Sequence, residues 1–457
     1  KNNNITLFIP EEFKVWFLQL FEESLGKELK GVTFFPAGGQ LTPENLRPDD
    51  IFVRLTIGGE KPRQDLWKHL QSKNYPTFEL NIKDKKEIFG LQFGLARAVI
   101  ALAYLWQICA VDQDAVEGYK KGGNLIRDEL RKGRTVENIL REKGWASVKT
   151  GNINFYYGPL LKAGLITNSE IYNQLATLHK GDLNDIPASA WYAAVLKVLE
   201  EKGYLNSAEI AYYCQPDNEI KEMLEAGKED IFTETLKVRA RLSQGTARNH
   251  ATHQNAKAGQ EIALTVILPL KFMPNQNPNL PYYSPDLMPA LAIATVADLS
   301  EDAKRPSMLI TTDIRINQAK TELRDFFSEV NFYLNKLVEV SSALEMVSLA
   351  NTAKDKGLLS ESSLKNINSW QGKEYISVHQ ELADEFKAAG NDPAKWKEIN
   401  DAWYRQAAIG TAGMRGKMGL GTNRINKFTL GRLMAAQAKV VKGKAYTGML
   451  KEKGVFD

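Results

Sequence analysis

Short runs of β-branched and aromatic residues alternate with helical patterns along the first part of the chain. The strand candidates are residues 5–9, 32–35, 51–57 and 78–82, and a long helix is expected near 86–110. Between the first two strands, apolar residues recur every three or four positions from Phe13 to Phe21, which predicts a helix. Strands that alternate with helices favour a parallel sheet covered on both faces.

The middle of the chain has helical patterns over residues 121–205, with a loop predicted around 151–159. Strands are predicted at 209–213, 262–268 and 308–312, and a loop rich in Pro and Asn spans 269–285. Over 316–350, an apolar repeat of three or four positions predicts an amphipathic helix pair that links two modules. The sequence therefore predicts an α/β protein with sheet domains at 1–145 and 146–315, a helical linker at 316–359 and a further module at 360–457.

Composition is typical of a globular protein of 457 residues, with 43% apolar and 25% charged side chains. The net charge of +4 is spread along the chain without a polybasic block, so nucleic acid is not implied. Cys109 and Cys214 form neither a disulfide framework nor a metal-binding spacing, which favours a reducing cytoplasm. No signal peptide is recognised. The apolar stretch 93–106, interrupted by Arg97, is interpreted as a buried helix too short to span a membrane.

Three polar stretches carry candidate chemistry. They are E-S-L-G-K from Glu23 to Lys27, D-Q-D-A-V-E-G-Y-K from Asp112 to Lys120, and H-A-T-H-Q-N-A-K-A-G from His250 to Gly259. Each has a simpler interpretation: a solvated helix end stopped by Gly26, a surface lysine, and a histidine pair without nearby carboxylates or thiols to complete a metal site. Taken one at a time, the stretches do not identify a function.

Together these stretches resemble the glucose-6-phosphate isomerase family over residues 1–315. The resemblance is closest to the isomerase module of bacterial transaldolase/glucose-6-phosphate isomerase fusions. The family motifs are E-S-x-G-K, D-Q-P-x-V-E-x-x-K and H-S-T-G-Q-L-H-K-G-G, in the order that the fusion type shows. The resemblance implies three-layer αβα domains of sugar-isomerase type. It also implies the isomerisation of glucose 6-phosphate and fructose 6-phosphate through an enediol.

The resemblance implies a role for each matching residue. Glu23 would shuttle the proton between C2 and C1, His250 would open the sugar ring, and Lys120 would stabilise negative charge beside it. Substrate-binding roles are implied for Gln113, Thr252, Gln254 and Lys257. No cofactor or metal is needed for this isomerisation. The expected ligands are sugar phosphates, without nucleic acid or membrane, and both a monomer and a homo-oligomer are left open.

The chain departs from the family pattern at several positions. Asp114 replaces a proline, and Tyr119 replaces a small residue and could crowd Lys120. In the third motif, the family's serine, glycine and histidine are replaced by Ala251, His253 and Ala256. Two alternatives therefore stay open: a phosphohexomutase that carries a catalytically inactive isomerase-like module, and a module that senses sugar phosphates without turnover.

The glycine-rich run G-T-A-G-M-R-G-K-M-G-L-G, from Gly410 to Gly421, is followed by Asn423 to Asn426. Glycines let backbone amides approach an anion closely. The run resembles the N-terminal signature of the α-D-phosphohexomutases, G-T-A-G-x-R-G-x-M-G-x-G-x-x-R-x-N. This resemblance places Arg415 near the phosphate-bearing serine of a phosphoglucomutase or phosphomannomutase.

The second resemblance implies an α/β phosphohexomutase domain that begins in residues 360–457. A complete mutase of this family uses Mg²⁺, and its metal ligands and phosphoserine are expected downstream of this chain. The phosphate-binding loops of the isomerase are expected upstream of Lys1. The chain is therefore expected to be a piece of a larger polypeptide.

Overall fold

The computed structural model describes residues 4–37, 41–43, 46, 50–112, 116–178, 185–214, 217–259, 262–271, 286–407, 409–410, 413–414 and 416–442. The chain divides into two compact units, Lys1–Leu337 and Val338–Asp457. The first unit contains two sheets, and the second is mainly helical.

A four-stranded sheet forms the first part of the first unit. Its strands are β1 (Asn4–Phe8), β2 (Thr33–Pro36), β3 (Ile51–Ile57) and β4 (Thr77–Ile82), in the order β2-β1-β3-β4. Every pair of neighbours is parallel, so each connection crosses over a face of the sheet. All four predicted strands are confirmed, and their ends differ by at most one residue.

Three helices cover this sheet: α1 (Glu11–Leu18), α2 (Gln64–Ser72) and α3 (Ile88–Trp106). A π-helical turn, Gln19–Glu23, continues α1, and a 3-10 turn, Lys85–Glu87, precedes α3. Phe17 of α1 shares an apolar cluster with Leu7, and Trp67 of α2 shares another with Phe8. Since adjacent residues of β1 face opposite sides, the sheet is buried on both faces, as predicted.

Helix α3 corrects the prediction of a short buried helix. It has 19 residues, of which only Val99 and Ala103 are buried. Its exposed apolar side chains are Phe89, Phe93, Ile100, Tyr104 and Leu105. The prediction is wrong because one side of α3 packs on the sheet while apolar residues continue around the helix. By length and composition α3 could cross a membrane, but a single such helix is weak support for a membrane protein.

A six-stranded sheet forms the second part of the first unit. Its strands are β5 (Ser147–Thr150), β6 (Ile153–Tyr156), β7 (Ser207–Tyr212), β8 (Arg239–Gln244), β9 (Ala263–Pro269) and β10 (Ser307–Thr312). The order is β5-β6-β10-β9-β7-β8. The last four are parallel, whereas β5 and β6 form an antiparallel hairpin.

Three of these strands confirm the predicted runs, and three are corrections. The hairpin of β5 and β6 occupies the region where a loop was expected at 151–159, and it turns at Gly151, whose φ is +57°. Strand β8 was not predicted. Its sequence, R-A-R-L-S-Q, contains two arginines that a hydropathy pattern assigns to the surface, but both are buried.

Nine helices are described around the second sheet: α4 (Glu117–Arg131), α5 (Val136–Glu142), α6 (Gly158–Ala163), α7 (Asn168–Leu178), α8 (Ala188–Glu201), α9 (Asn218–Lys228), α10 (Gly245–Ala251), α11 (His253–Ala258) and α12 (Leu287–Ala297). Two π-helical turns, Glu229–Thr235 and Asp298–Asp302, continue α9 and α12. Helix α8 is buried from Ala188 to Leu199 in one apolar core, and α12 packs on α4 in another. The first unit is therefore mixed α/β with parallel sheets flanked by helices, which confirms the predicted fold class.

A single helix, α13 (Lys320–Asp355), replaces the predicted helix pair. No glycine or proline interrupts its 36 residues, so nothing in the sequence breaks it. The boundary between the two units falls within α13. The proposed linker and domain limits stay predictions.

The second unit contains α14 (Glu361–Asn368), α15 (Ile376–Ala389), α16 (Pro393–Trp403) and α17 (Lys427–Lys442), with the short pair β11 (Ile409–Gly410) and β12 (Gly413–Met414). Its three tryptophans, Trp370, Trp396 and Trp403, are buried in one core. The ring of Trp370 stacks on Tyr375 with centroids 4.5 Å apart. Aromatic packing therefore stabilises this helical unit.

Candidate active site

The candidate site lies at the carboxyl ends of β7 and β8. The chain passes from β7 to β8 on one side, then crosses to β9 on the other side of β7. Open α/β sheets bind ligands where the strand order reverses in this way. Helix α10, which carries His250, begins at Gly245, directly after β8 ends at Gln244.

The π-helical turn Gln19–Glu23 brings the first motif to this place, because it packs against both α10 and α11. Glu22 is fully buried, while its neighbour Glu23 is half-buried. Glycine is required at Gly26 by close packing: a Cβ there would lie 2.4 Å from Asn255 Cα. Gly26 is thus a contact position between the first and third motifs and not the left-handed helix stop that was expected.

Glu22 anchors the turn by a buried ion pair. Its Oε1 accepts hydrogen bonds from Arg241 Nη1 at 2.6 Å and from the backbone N–H of Phe34 at 2.8 Å. Burial raises the pKa of Glu22, although Arg241 opposes the shift. Arg241 lies opposite Glu209 in the β7–β8 register, with Nε 3.3 Å from Glu209 Oε1. Burial disfavours charge on Glu209, but Arg241 and Arg248 lower its pKa to about 2.

The buried charges continue through Arg248 to His253. Arg248 Nε donates to Glu209 Oε2 at 3.2 Å, and Arg248 Nη1 lies 2.7 Å from His253 Nδ1. Burial lowers the pKa of His253 to about 4, so its ring is neutral at physiological pH. Because Arg248 can only donate, Nδ1 accepts, and Nε2–H donates to Asp298 Oδ2 at 2.8 Å.

Asp298 is the last residue of this series, and it also pairs with Lys257. Lys257 Nζ donates to Asp298 Oδ1 at 2.6 Å. Burial would raise the pKa of Asp298, but the hydrogen bonds from His253 and Lys257 lower it overall. A Cβ on Gly118, in the first turn of α4, would lie 2.0 Å from Asp298 Oδ1 and 2.8 Å from Lys257 Nζ. Only glycine lets α4 approach this carboxylate so closely.

The π-helical turn that ends at Glu23 packs on α10, which carries His250, so two of the three predicted catalytic residues lie on neighbouring elements. The carboxylate of Glu23 interacts electrostatically with His250, Lys120 and Lys27, and it accepts a hydrogen bond from Gln19. Burial raises the pKa of Glu23 despite these cations. Lys120 and His250 are exposed, and Lys120 Nζ donates to Glu117 Oε1 at 2.9 Å. The site thus combines a half-buried carboxylate with two accessible groups that can carry positive charge.

Lys27 joins the first motif to the second. Its Nζ donates to Asp112 Oδ1 at 2.6 Å and also to the backbone carbonyl oxygens of Cys109 and Asp112. Lys27 itself is buried. These bonds hold residues 109–112, which precede α4 along the chain, against the segment that follows Glu23.

The predicted substrate-binding residues have different surroundings. Thr252 and Gln254 are buried; the Thr252 hydroxyl donates to the carbonyl oxygen of Arg248 at 3.2 Å, and Gln254 Nε2 lies 3.4 Å from that of Gly26. The side chain of Lys257 is 20% exposed. Gln113, Asp114 and Arg415 lie outside the described residues. Contact with substrate stays a prediction for all the proposed binding residues.

The sequence reasoning missed five charged residues of the site: Glu22, Glu209, Arg241, Arg248 and Asp298. The sequence contained a signal for two of them. Glu209 is a charged residue within the apolar strand Ser207–Tyr212, and Arg241 lies within a second strand of six residues. A charged residue within a buried strand requires a partner. Within the described ranges, no group of three potential metal ligands occurs.

In the second unit, the side chain of Asn426 holds the end of the glycine-rich run in place. Asn426 Nδ2 donates to the carbonyl oxygens of Gly419 at 2.9 Å and Gly421 at 3.0 Å. Its Oδ1 accepts from the backbone N–H groups of Phe428 and Thr429 at the start of α17. Arg424 Nη2 binds Asp401 Oδ2 at 2.7 Å. Asn426 therefore holds the glycine-rich segment against the start of α17, and Arg424 holds it against Asp401 of α16.

Comparisons with known proteins identify no family. No family model and no curated protein matches the chain. A hypothetical protein from Thermus thermophilus is similar in structure, with 14% identity, a TM-score of 0.27 and coverage of 74% of this chain and 79% of that one. A glucose-6-phosphate isomerase from Chlamydia trachomatis has 12% identity, a TM-score of 0.27 and coverage of 87% and 72%. At such TM-scores, neither likeness assigns a function.

Proposed function

We propose that this chain isomerises a sugar phosphate between its aldose and ketose forms, with glucose 6-phosphate and fructose 6-phosphate as the pair. One observation carries the proposal: the turn that ends at Glu23 packs on the helix that carries His250, and the Glu23 carboxylate is within electrostatic reach of His250 and Lys120, which are distant along the chain. The motifs that carry these residues were selected by sequence alone. Their side chains supply the base, the acid and the cation that the reaction needs.

In the proposed reaction, Glu23 removes the proton from C2 of the open-chain aldose and delivers it to C1. The enediol forms as the C1 carbonyl oxygen gains a proton, and it is consumed as the C2 hydroxyl loses one, so the electrons stay within the substrate and no redox cofactor takes part. A carboxylate whose pKa is raised by burial is a stronger base than a solvated one. The hydrogen bond from Gln19 fixes the orientation of this carboxylate.

His250 and Lys120 act on the oxygens. His250 protonates the ring oxygen as the bond between C1 and that oxygen breaks, while the C1 hydroxyl proton is lost. Lys120 stabilises the negative charge that develops on the substrate oxygens as the enediol forms. Both side chains are exposed and thus accessible to a ligand. A positioned acid or base contributes roughly 10²–10⁴-fold to the rate.

The test measures conversion of fructose 6-phosphate to glucose 6-phosphate, coupled to an NADP-dependent dehydrogenase. We expect Glu23→Gln to lower kcat by at least about 100-fold, with little change in KM, because the amide keeps the shape but not the basicity. Incorporation of solvent deuterium at C2 of the product tests for the enediol.

Glu12→Gln is the matched control, since Glu12 is an exposed carboxylate on α1 and should not affect turnover. Absence of conversion by the wild-type chain would contradict the proposal. Unchanged conversion by the Glu23→Gln variant would instead show that Glu23 is not the base.

A second candidate is a phosphohexomutase whose isomerase-like unit is inactive. The signature from Gly410 to Asn426 supports it, together with the bonds by which Asn426 fixes Gly419 and Gly421. Conversion of glucose 1-phosphate to glucose 6-phosphate without aldose–ketose isomerisation would favour this candidate. Binding of sugar phosphates without either conversion would favour a sensor.

A further inference from the structure

The exposed residues of α3 form one continuous apolar face. At about 100° per residue, all of them fall on the same half of the helix. We call this half the outer face of α3, and it consists of Phe89, Gly90, Phe93, Gly94, Arg97, Ala98, Ile100, Ala101, Tyr104 and Leu105. Arg97 is the only charged residue of the helix. A helix on the surface of a globular protein normally turns a charged and polar face outward, so the outer face calls for an explanation.

The other half of α3 is held by the first sheet and its turn. Leu91 and Leu95 pack against the apolar cluster that contains Leu7 of β1. Val99 and Ala103 are buried in another cluster with Leu25. The helix therefore has one apolar half that is buried within its own chain and a second apolar half that faces outward.

The outer face has a ridge beside a groove. The ridge lies within about 60° of arc and consists of four large side chains: Phe89, Phe93, Ile100 and Tyr104. Gly90, Gly94 and Ala98 recur every four residues next to it and form the groove. A Cβ at Gly90 or Gly94 would meet no atom of the described residues within 4 Å. Such a face is self-complementary, because a two-fold axis lays the ridge of each copy in the groove of the other.

The size of the outer face is close to what a stable dimer needs. The 19 residues of α3 extend over about 28 Å. Phe89, Phe93 and Tyr104 are 79%, 67% and 83% exposed, so these three side chains alone present roughly 350–570 Å². Ile100 and Leu105 add to this area. A standard interface buries about 800 Å² per partner, and the central part of a homodimer interface is more apolar than the remaining surface.

The chemistry of α3 favours a second copy over a lipid surface. A helix that lies in a membrane interface pairs its apolar face with a polar face rich in Lys and Arg, whereas the second half of α3 is apolar and buried. Arg97 instead lies in the middle of the outer face, with its guanidinium carbon 5.7 Å from the centre of the Phe93 ring. Arginine and aromatic side chains at the centre of an interface are the residues that contribute most to protein–protein binding.

We propose that this chain forms a two-fold symmetric dimer through α3, in which the outer face of one copy packs on the outer face of a second copy. The aromatic ridge of each copy occupies the glycine groove of the other. The inference does not depend on the proposed function.

The test measures the oligomeric state of the full chain by sedimentation equilibrium. Phe93→Glu places a charge on the ridge, and Gly94→Leu fills the groove. Neither change disturbs a contact within the monomer, because Phe93 is exposed and the space above Gly94 is open. We expect a dimeric wild type and an increase of the dimer Kd by at least about 100-fold in each variant, since an unpaired charge or a blocked approach is costly at the centre of an interface.

Phe332→Glu and Gly431→Leu are the matched controls. Phe332 is 54% exposed on α13, and a Cβ at Gly431 of α17 would also meet none of the described atoms within 4 Å. We expect both controls to keep the wild-type Kd. Circular dichroism identifies any variant that has not folded, and the other α3 variant then decides.

A monomeric wild type would overturn the inference, as would a dimer whose Kd is unchanged in the α3 variants or changes equally in the controls. Vesicles of phosphatidylcholine test the lipid alternative. A monomeric wild type that sediments with these vesicles, and a Phe93→Glu variant that does not, would assign the outer face to a membrane and reject the dimer.

Discussion

Gly118 offers the sharpest test of the buried charges, because another glycine on the same helix is its control. A Cβ on Gly118 would lie 2.0 Å from Asp298 Oδ1, whereas one on Gly122 would meet Ala294 Cβ at an ordinary 3.5 Å. Alanine at Gly122 should therefore stabilise α4 by about 0.5–1 kcal/mol, the usual preference for alanine over glycine in a helix. Alanine at Gly118 must displace Asp298.

The cost at Gly118 follows from the bonds that Asp298 would lose. Its carboxylate holds His253 Nε2 at 2.8 Å and Lys257 Nζ at 2.6 Å. Each hydrogen bond to a charged group contributes about 1.5–3 kcal/mol. Offset by the gain in helix propensity, Gly118→Ala should destabilise the first unit by roughly 2–5 kcal/mol.

Thermal unfolding followed by circular dichroism measures both changes. With an unfolding entropy of about 2.1 cal/mol/K per residue, a unit of Lys1–Leu337 shifts its Tm by roughly 1.4 °C per kcal/mol. We expect Gly118→Ala to lower Tm by about 3–7 °C and Gly122→Ala to raise it by about 1 °C. A stabilising effect of Gly118→Ala, or the same shift in both variants, would refute the close approach of α4 to Asp298.

Three further outcomes are expected. Arg241→Met should destabilise the first unit by about 3–5 kcal/mol in urea titrations, because Glu22 stays buried without its cation and Glu209 keeps only Arg248; little loss would mean that water reaches Glu22. The depressed pKa of Glu209 gives stability that is present above its ordinary value of 4.5 and is lost as pH falls towards 2, so Glu209→Gln should flatten the acid part of the stability profile. Asn426→Ala removes the cap of α17 and should cost about 1–2 kcal/mol. Faster amide exchange in the first turn of α17 would report this loss, and unchanged exchange would contradict it.

Periodicity predicted the first sheet well because its strands are apolar and its helices are amphipathic. It missed β8 because Arg239 and Arg241 are buried as ion partners, of Asp50 and Glu22, and hydropathy assigns such residues to the surface. Periodicity misjudged the burial of α3, because an apolar sequence does not show how much of a helix surface packs against other residues. The hairpin of β5 and β6 was missed because each strand has four residues, too few for a clear alternation.

The motifs selected Glu23, Lys120 and His250, but only folding could bring them together. The adjacent Glu22 illustrates the limit. Nothing in the residue pattern separates two neighbouring glutamates, yet a π-helical turn buries one against Arg241 and leaves the other half-buried, within electrostatic reach of His250 and Lys120. Which of the two glutamates is buried depends on the π-helical turn, a backbone irregularity that periodicity does not detect.

The buried ion pair between Glu22 and Arg241 has a consequence for assembly. Glu22 follows the first helix of the four-stranded sheet, and Arg241 belongs to the six-stranded sheet. Each sheet can form its own backbone hydrogen bonds without the other, and Arg241 has Glu209 beside it in its own sheet, but the ion pair of Glu22 with Arg241 forms only when the two sheets dock. The cluster around Glu23 is consequently absent from any intermediate in which the two sheets have formed without docking. Formation of the cluster therefore requires contacts between residues that are far apart along the chain.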